Sequence, residues 1–212
     1  MPPLEDKEVF TTLYLIRHGE VDEAYHRKFG GTINMGLSPV GRHQARLLAE
    51  YLQRFSFDAL YCSPMKRAMA TADPIAQEKR LDPITVEGLR EIDFGVWTGK
   101  TWMEVRDEFQ IEVFKWLDYL EAGEVEGAEL GADFRKRVGV AADEIVAKNV
   151  GKHVAVVCHG GVVRAMMSHL LDIPMGLTGK LDIEYASVTR LQISGRKAEA
   201  TLVNLVPWLD LA

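Results

Sequence analysis

A chain of 212 residues with 47% hydrophobic and 26% charged side chains has the balance of a folded α/β globule and excludes a disordered or fibrous polymer. Its formal charge of −6 argues against a general binder of nucleic acid or anionic membrane, since both demand a basic footprint. A locally positive pocket for a small anion stays compatible with that charge. No uninterrupted apolar run approaches the ~18 residues of a membrane span. The opening "MPPLEDKEVF" lacks the basic and apolar regions of a leader peptide. Cys62 and Cys158, each closing an apolar run, read as buried free thiols, which suits a reducing cytoplasm.

In chain order, Val9 to Ile16 is a near-continuous apolar run with β-branched residues, the pattern of a central parallel strand. It ends in Arg17-His18-Gly19. Ser38-Pro39 reads as the cap and first residue of a helix whose apolar face holds Val40, Leu47, Leu48, Tyr51, Leu52 and Phe55. "ALYC", Ala59 to Cys62, is a second strand. Ser63-Pro64 repeats the cap signal ahead of a helix carrying Arg67, and Pro74 is expected to end or kink that helix. "PITVEGLREIDFGVWTGKT" begins as a strand at Pro83 and dissolves into a glycine-containing loop. Two helices are expected next, over Trp102–Leu120 and Gly131–Lys148, with the acidic "EAGEVEGAELG" between them as a solvated loop. "HVAVVCHGGVVRAMMSHLL", His153 to Leu171, is again strand, glycine turn and helix. The end reads as an antiparallel hairpin turning at Ser194-Gly195-Arg196. The pattern implies one domain over 1–212: a three-layer α/β/α fold with a mostly parallel central sheet, an antiparallel edge hairpin and a helical insertion at about 102–130.

Open α/β sheets bind ligands beyond the carboxyl ends of their strands, and three such ends here carry unusual polar residues. The first delivers Arg17 and His18. The second places Arg67 in the first turn of a helix, where the dipole favours an anion. The third delivers His159, followed by Gly160-Gly161, which lets backbone approach a ligand closely. Two arginines, two histidines and two helix N-termini describe a phosphate pocket. A phosphate monoester carries about −1.5 to −2 charges, and the planar fork of arginine suits its oxygens.

"LIRHGE", "SPMKRAMATA", "LREIDFGVWTGKT" and "VVCHGGVVR" resemble the four blocks of the histidine phosphatase superfamily, in its phosphoglycerate-mutase-like branch. They stand in family order between residues 13 and 167. The resemblance implies a phosphomonoesterase that acts on a small phosphorylated metabolite through a phosphohistidine on His18. Arg17, Arg67 and His159 would hold the phosphoryl group, and Glu91 would protonate the leaving oxygen and then activate water. The chemistry asks for the same residue types. A neutral imidazole attacks near pH 7 once its other nitrogen is tied down, and a carbonyl near Gly19 is placed to do so. Negative charge spreads over the equatorial oxygens, so cationic positioning carries most of the catalysis. An alkoxide leaving group needs a proton. Glu91, among Leu89, Ile92 and Phe94, is the candidate donor, with Glu87, Asp93 and Glu104 as its neighbours in competition.

Several rivals keep a place. Cys158 to Arg164 satisfies the Cys-x5-Arg spacing of thiolate phosphatases. A metallohydrolase would need ligand spacing that this chain lacks, so neither metal nor other cofactor is expected. A phosphate-binding module without turnover would keep the same residues. Mutase chemistry would need a lid over a second phosphate site; the short tail "PWLDLA" and the acidic 122–131 segment favour hydrolysis instead. Ala24, Asn34 and Leu130 depart from the family wording. Asn34 and Trp97, with Trp102, are the candidates for shaping the substrate side, and "HRK", His26 to Lys28, is a basic spot in the same loop. His26, His43, His153 and His169 read as structural.

Overall fold

The computed structural model describes residues 9–112, 115–195 and 197–210. The reading of the leader falls largely, and Arg196 of the hairpin turn falls wholly, outside the described residues. Six strands among them form one sheet: β1 (Thr11–Arg17), β2 (Ala59–Cys62), β3 (Ile84–Thr85), β4 (His153–Cys158), β5 (Val188–Ser194) and β6 (Lys197–Leu205). Their order is β3-β2-β4-β1-β5-β6. The first four run parallel, and β5 and β6 add the antiparallel edge. The helices are α1 (Pro39–Leu52), α2 (Lys66–Lys79), α3 (Trp102–Phe109), α4 (Trp116–Glu121), α5 (Gly131–Lys148), α6 (Gly160–Leu171), α7 (Met175–Thr178) and α8 (Pro207–Asp210). None of the described helices is long and apolar enough to cross a membrane.

The three layers follow from the two-residue period of β1. Leu13 and Leu15 point into a cluster with Phe134, Val138 and Ile145 of α5 and Val162, Val163 and Met166 of α6. Tyr14 and Ile16 point the other way, onto Leu48 and Leu52 of α1 and Ala68, Ala72 and Ile75 of α2. A strand apolar on both faces therefore takes helices on both. Full burial of one such leucine contributes roughly 1.5–3 kcal/mol relative to leaving it in water.

Local chemistry sets the helix starts. Ser38 Oγ accepts the Gly41 N–H at 2.9 Å, and Pro39 occupies the first turn of α1. The second cap signal works differently. Helix α2 begins at Lys66 rather than beside Ser63, and Asn34 Oδ1 accepts the Lys66 N–H at 2.9 Å. Pro74 lies inside α2 and does not end it; proline removes one donor there, and the helix stops only where Arg80 turns left-handed. The helix expected over Trp102–Leu120 is two. Thr101 and Glu104 form a capping box that starts α3, and Gln110, with φ 54°, ends it before α4.

Because β2, β4 and β1 are neighbours, with Cys62 paired to Val157 and Arg17 to Cys158, the residues just past their ends meet. Those residues are Ser63, His159 and His18.

Candidate active site

His18 leaves β1 with its backbone pinned on two sides: its N–H donates to the Cys158 carbonyl and its carbonyl accepts from Ala186. The ring is 5% exposed. Its Nδ1 lies 2.7 Å from the Gly19 carbonyl, and its Nε2 lies 3.2 Å from Arg67 Nε. A carbonyl only accepts and a guanidinium only donates, so Nδ1 carries the proton and Nε2 keeps its lone pair. Burial, then the Arg67 and Arg17 charges, hold the imidazole well below its ordinary pKa, against a smaller opposing pull from the Gly19 carbonyl. It is neutral near pH 7.

Arg67 is 2% exposed and stands in the first turn of α2. Its Nε–H is shared between His18 Nε2 and His159 Nδ1, both at 3.2 Å. Its other nitrogens donate to the carbonyls of Ile33 and Gly31 at 2.7 and 3.0 Å. Burial is the main force that pushes this guanidinium down to about 10, which leaves it charged. Thr71, one turn on, donates to the Arg67 carbonyl and accepts the Gly19 N–H at 3.0 Å, joining α2 to the His18 loop.

His159 caps α6 with no exposed surface. Since Nδ1 accepts from Arg67, Nε2 bears the proton and donates to Ser63 Oγ at 2.8 Å. The two imidazoles thus hold opposite tautomers with ring centroids 5.2 Å apart. Burial, then Arg67, keeps His159 neutral as well. Sequence reading took Ser63 for a helix cap; the structure makes it the partner of His159.

Glu91 reaches the site from the loop after β3. Its Oε1 accepts the Ile92 N–H at 3.1 Å and its Oε2 the Gly161 N–H at 3.3 Å. A Cβ at position 161 would push Oε1 aside, so glycine there lets the carboxylate sit against the backbone. Arg137 of α5 braces the loop from behind. It forks onto Glu129 at 2.6 and 2.8 Å and donates to the carbonyls of Gly88, Arg90 and Glu91.

These groups open on a cleft of about 260 Å³ lined by Arg17, His18, Arg67, Glu91 and the Gly160-Gly161 backbone. Two further residues line it: Arg164, which the sequence offered only in the rival cysteine pattern, and Tyr185, which it did not signal. Arg164 donates to the carbonyls of Gly160 and Leu181. Tyr185 lies under the Arg17 guanidinium, 4.0 Å from ring centroid to Cζ, and beside the His18 ring. Trp208 Nε1 holds the Tyr185 carbonyl at 2.9 Å, so the short tail braces the site.

Two expectations need correction, and one rival reading falls. Trp97 is buried against Phe29, Phe109 and Tyr119 and does not face the cleft; Trp102 and Trp116 do. Asn34 is spent on the start of α2 and does not line the cleft. Cys158 is wholly buried, and burial raises its thiol far above the ordinary value, which removes the thiolate that the Cys-x5-Arg reading requires.

A neutral, oriented imidazole beside arginines at the strand ends of a three-layer sheet defines a pocket suited to a phosphoryl group. The chain belongs to the histidine phosphatase superfamily, branch 1, whose model matches residues 13–206, and it is a phosphoric monoester hydrolase. It is 30% identical to phosphoserine phosphatase 1 of Hydrogenobacter thermophilus, over 91% of this chain and 92% of that one. A mycobacterial glucosyl-3-phosphoglycerate phosphatase superposes with a TM-score of 0.81 at 26% identity, covering 92% of this chain and 99% of that one. A variant phosphoserine phosphatase from Entamoeba histolytica in complex with phosphoserine gives 0.78 at 26% identity, covering 94% and 99%.

Proposed function

We propose that this hydrolase acts on a small phosphorylated metabolite, with His18 as nucleophile and Glu91 as general acid and then base. The observation that carries the reading is the tautomer of His18. The Gly19 carbonyl holds the proton on Nδ1, so the lone pair of Nε2 faces Arg67 and the cleft. An incoming phosphoryl oxygen takes over the Arg67 N–H that the two imidazoles share, which frees Nε2. The nitrogen then attacks phosphorus while the bond to the leaving oxygen breaks, and Glu91 gives that oxygen its proton. Arg17 and Arg67 hold the equatorial oxygens, whose charge develops in the transition state, and His159 orients Arg67 from behind through its Nδ1. Water next attacks the phosphohistidine, Glu91 takes its proton, and inorganic phosphate leaves with His18 restored.

The test is trapping. Enzyme quenched during turnover of a radiolabelled monoester should carry an acid-labile, base-stable label in the wild type and in Cys158→Ser, and none in His18→Ala. Label retained in His18→Ala, with turnover lost in Cys158→Ser, would transfer the nucleophile to the cysteine.

A further inference from the structure

The cleft holds more positive charge than one phosphate uses. Arg17, Arg27, Lys28, Arg67 and Arg164 line it, against one carboxylate, Glu91. A monoester brings about −1.5 to −2 charges, which Arg17 and Arg67 match in the scheme above. Arg164 is engaged with two carbonyls. Arg27 and Lys28 remain: neither side chain has a hydrogen bond or an ion pair at contact distance with any described residue, and Lys28 feels only the longer-range charge of Glu104.

Their loop is held in place. His26 Nε2 donates to the Val21 carbonyl at 2.7 Å. The Phe29 N–H donates to the Lys100 carbonyl at 2.9 Å, and Lys28 bridges to Thr101. Arg27 itself has φ 56°, a left-handed conformation costly for a residue with a Cβ and kept only where the surroundings enforce it. Aromatic rings line the same cleft as these cations. Phe29 packs on Trp102 with centroids 4.2 Å apart, and Trp116 lies 6.1 Å beyond Trp102. All three line the cleft.

We infer that Arg27 and Lys28 form a subsite for a second anionic group, a carboxylate or a second phosphate, on a substrate whose body rests against Trp102 and Trp116. The inference rests on the hydrolase reading of the His18 site. Both cations are exposed, so each contact is worth the modest amount of a solvated ion pair, and together they give about a tenfold preference that weakens with salt.

Matched esters isolate that preference. The wild type and the Arg27→Ala/Lys28→Ala variant are assayed by phosphate release on 4-carboxyphenyl phosphate and its methyl ester, and on O-phosphoserine and its methyl ester. Propane-1,3-diol bisphosphate and the corresponding monophosphate form a third pair. The quantity read is the kcat/KM ratio of charged to neutral member within each pair. A wild-type ratio of about ten in at least one pair, falling toward one in the variant and in high salt, supports the subsite, and the pair affected identifies the anion. A ratio near one in every pair of the wild type, or a ratio the variant leaves unchanged, overturns it. Failure of the hydrolase reading looks different: no ester of either charge releases phosphate.

Discussion

At position 91 the chain offers a carboxyl that faces the cleft, the group proposed above as proton donor. Glu91 lines the cleft, whereas Glu87 is exposed beside Arg90, Asp93 is turned onto the Gly95 N–H, and Glu104 is spent on the α3 capping box. Sequence proximity left these four in competition, and of the four only Glu91 lines the cleft. An alkyl phosphate releases a strongly basic alkoxide that needs the proton, while p-nitrophenolate departs with little help. Glu91→Gln should therefore slow alkyl-ester hydrolysis about 10²–10⁴-fold, the usual span of general acid–base catalysis, and p-nitrophenyl phosphate much less. Some loss on both is expected, because the proposed scheme also uses the carboxylate in water attack. Undiminished rates on both esters would send the acid elsewhere. The same scale shows what sequence reading could reach. Arg17, His18, Arg67 and His159 were legible because strand ends and glycine turns betray them. Arg164 was visible only through the rival cysteine pattern, and Tyr185 not at all: a tyrosine before a strand carries no local signal, and it reaches the site by lying under Arg17 from the far end of the chain.

Between elements, the Glu91 loop depends on α5 across a gap in sequence of nearly fifty residues. The Arg137 guanidinium has five N–H donors, and five contacts use them, two on Glu129 and three on backbone carbonyls at 88, 90 and 91. Glu129 in turn donates its N–H to the Asp93 carbonyl at 3.0 Å, so the acidic segment before α5 is tied along the 93–96 strip rather than free in solvent. Arg137→Lys keeps the charge but loses the fork. The expected outcome is a destabilisation of about 1–3 kcal/mol together with a larger loss on alkyl esters than on p-nitrophenyl phosphate, the signature of a displaced Glu91. Equal losses on both esters would reduce Arg137 to a structural brace. Elements themselves were largely readable, since runs apolar on both faces of a strand announce a covered parallel sheet. The break at Gln110 was hidden because a left-handed residue there is not a glycine. The aromatic wall was misassigned for a related reason: Trp97 and Trp102 are five apart, and only the φ 51° turn at Gly95, tight against the Glu126 carbonyl, and the α3 cap decide which ring goes inward.

Across the whole molecule, the two neutral imidazoles tie folding to pH. His18 and His159 are both buried, and burial, then Arg67, drives each well below its ordinary pKa. An unfolded histidine titrates near ~6.5. Between that value and the lower native ones, the unfolded chain binds protons that the native protein refuses, so stability rises with pH. The contribution is complete above the unfolded pKa and is lost as pH falls toward the native values. In that window each imidazole steepens the dependence by up to about 1.4 kcal/mol per pH unit. The neighbouring Arg67 stays charged throughout, since its own pKa of about 10 lies far above the window. Urea midpoints measured from pH 7.5 to 5 should fall steeply below about 6.5 in the wild type. His159→Gln retains a side chain that can bond Ser63 and Arg67 without titrating, and its midpoint should fall with a visibly shallower slope, whatever its absolute stability. His18→Asn should flatten the curve again in the double variant, because the two sites bind their protons separately in the unfolded chain. Wild-type and double-variant curves that run parallel would mean the site histidines take up protons without unfolding the protein, and the acid sensitivity would then belong to carboxylates elsewhere.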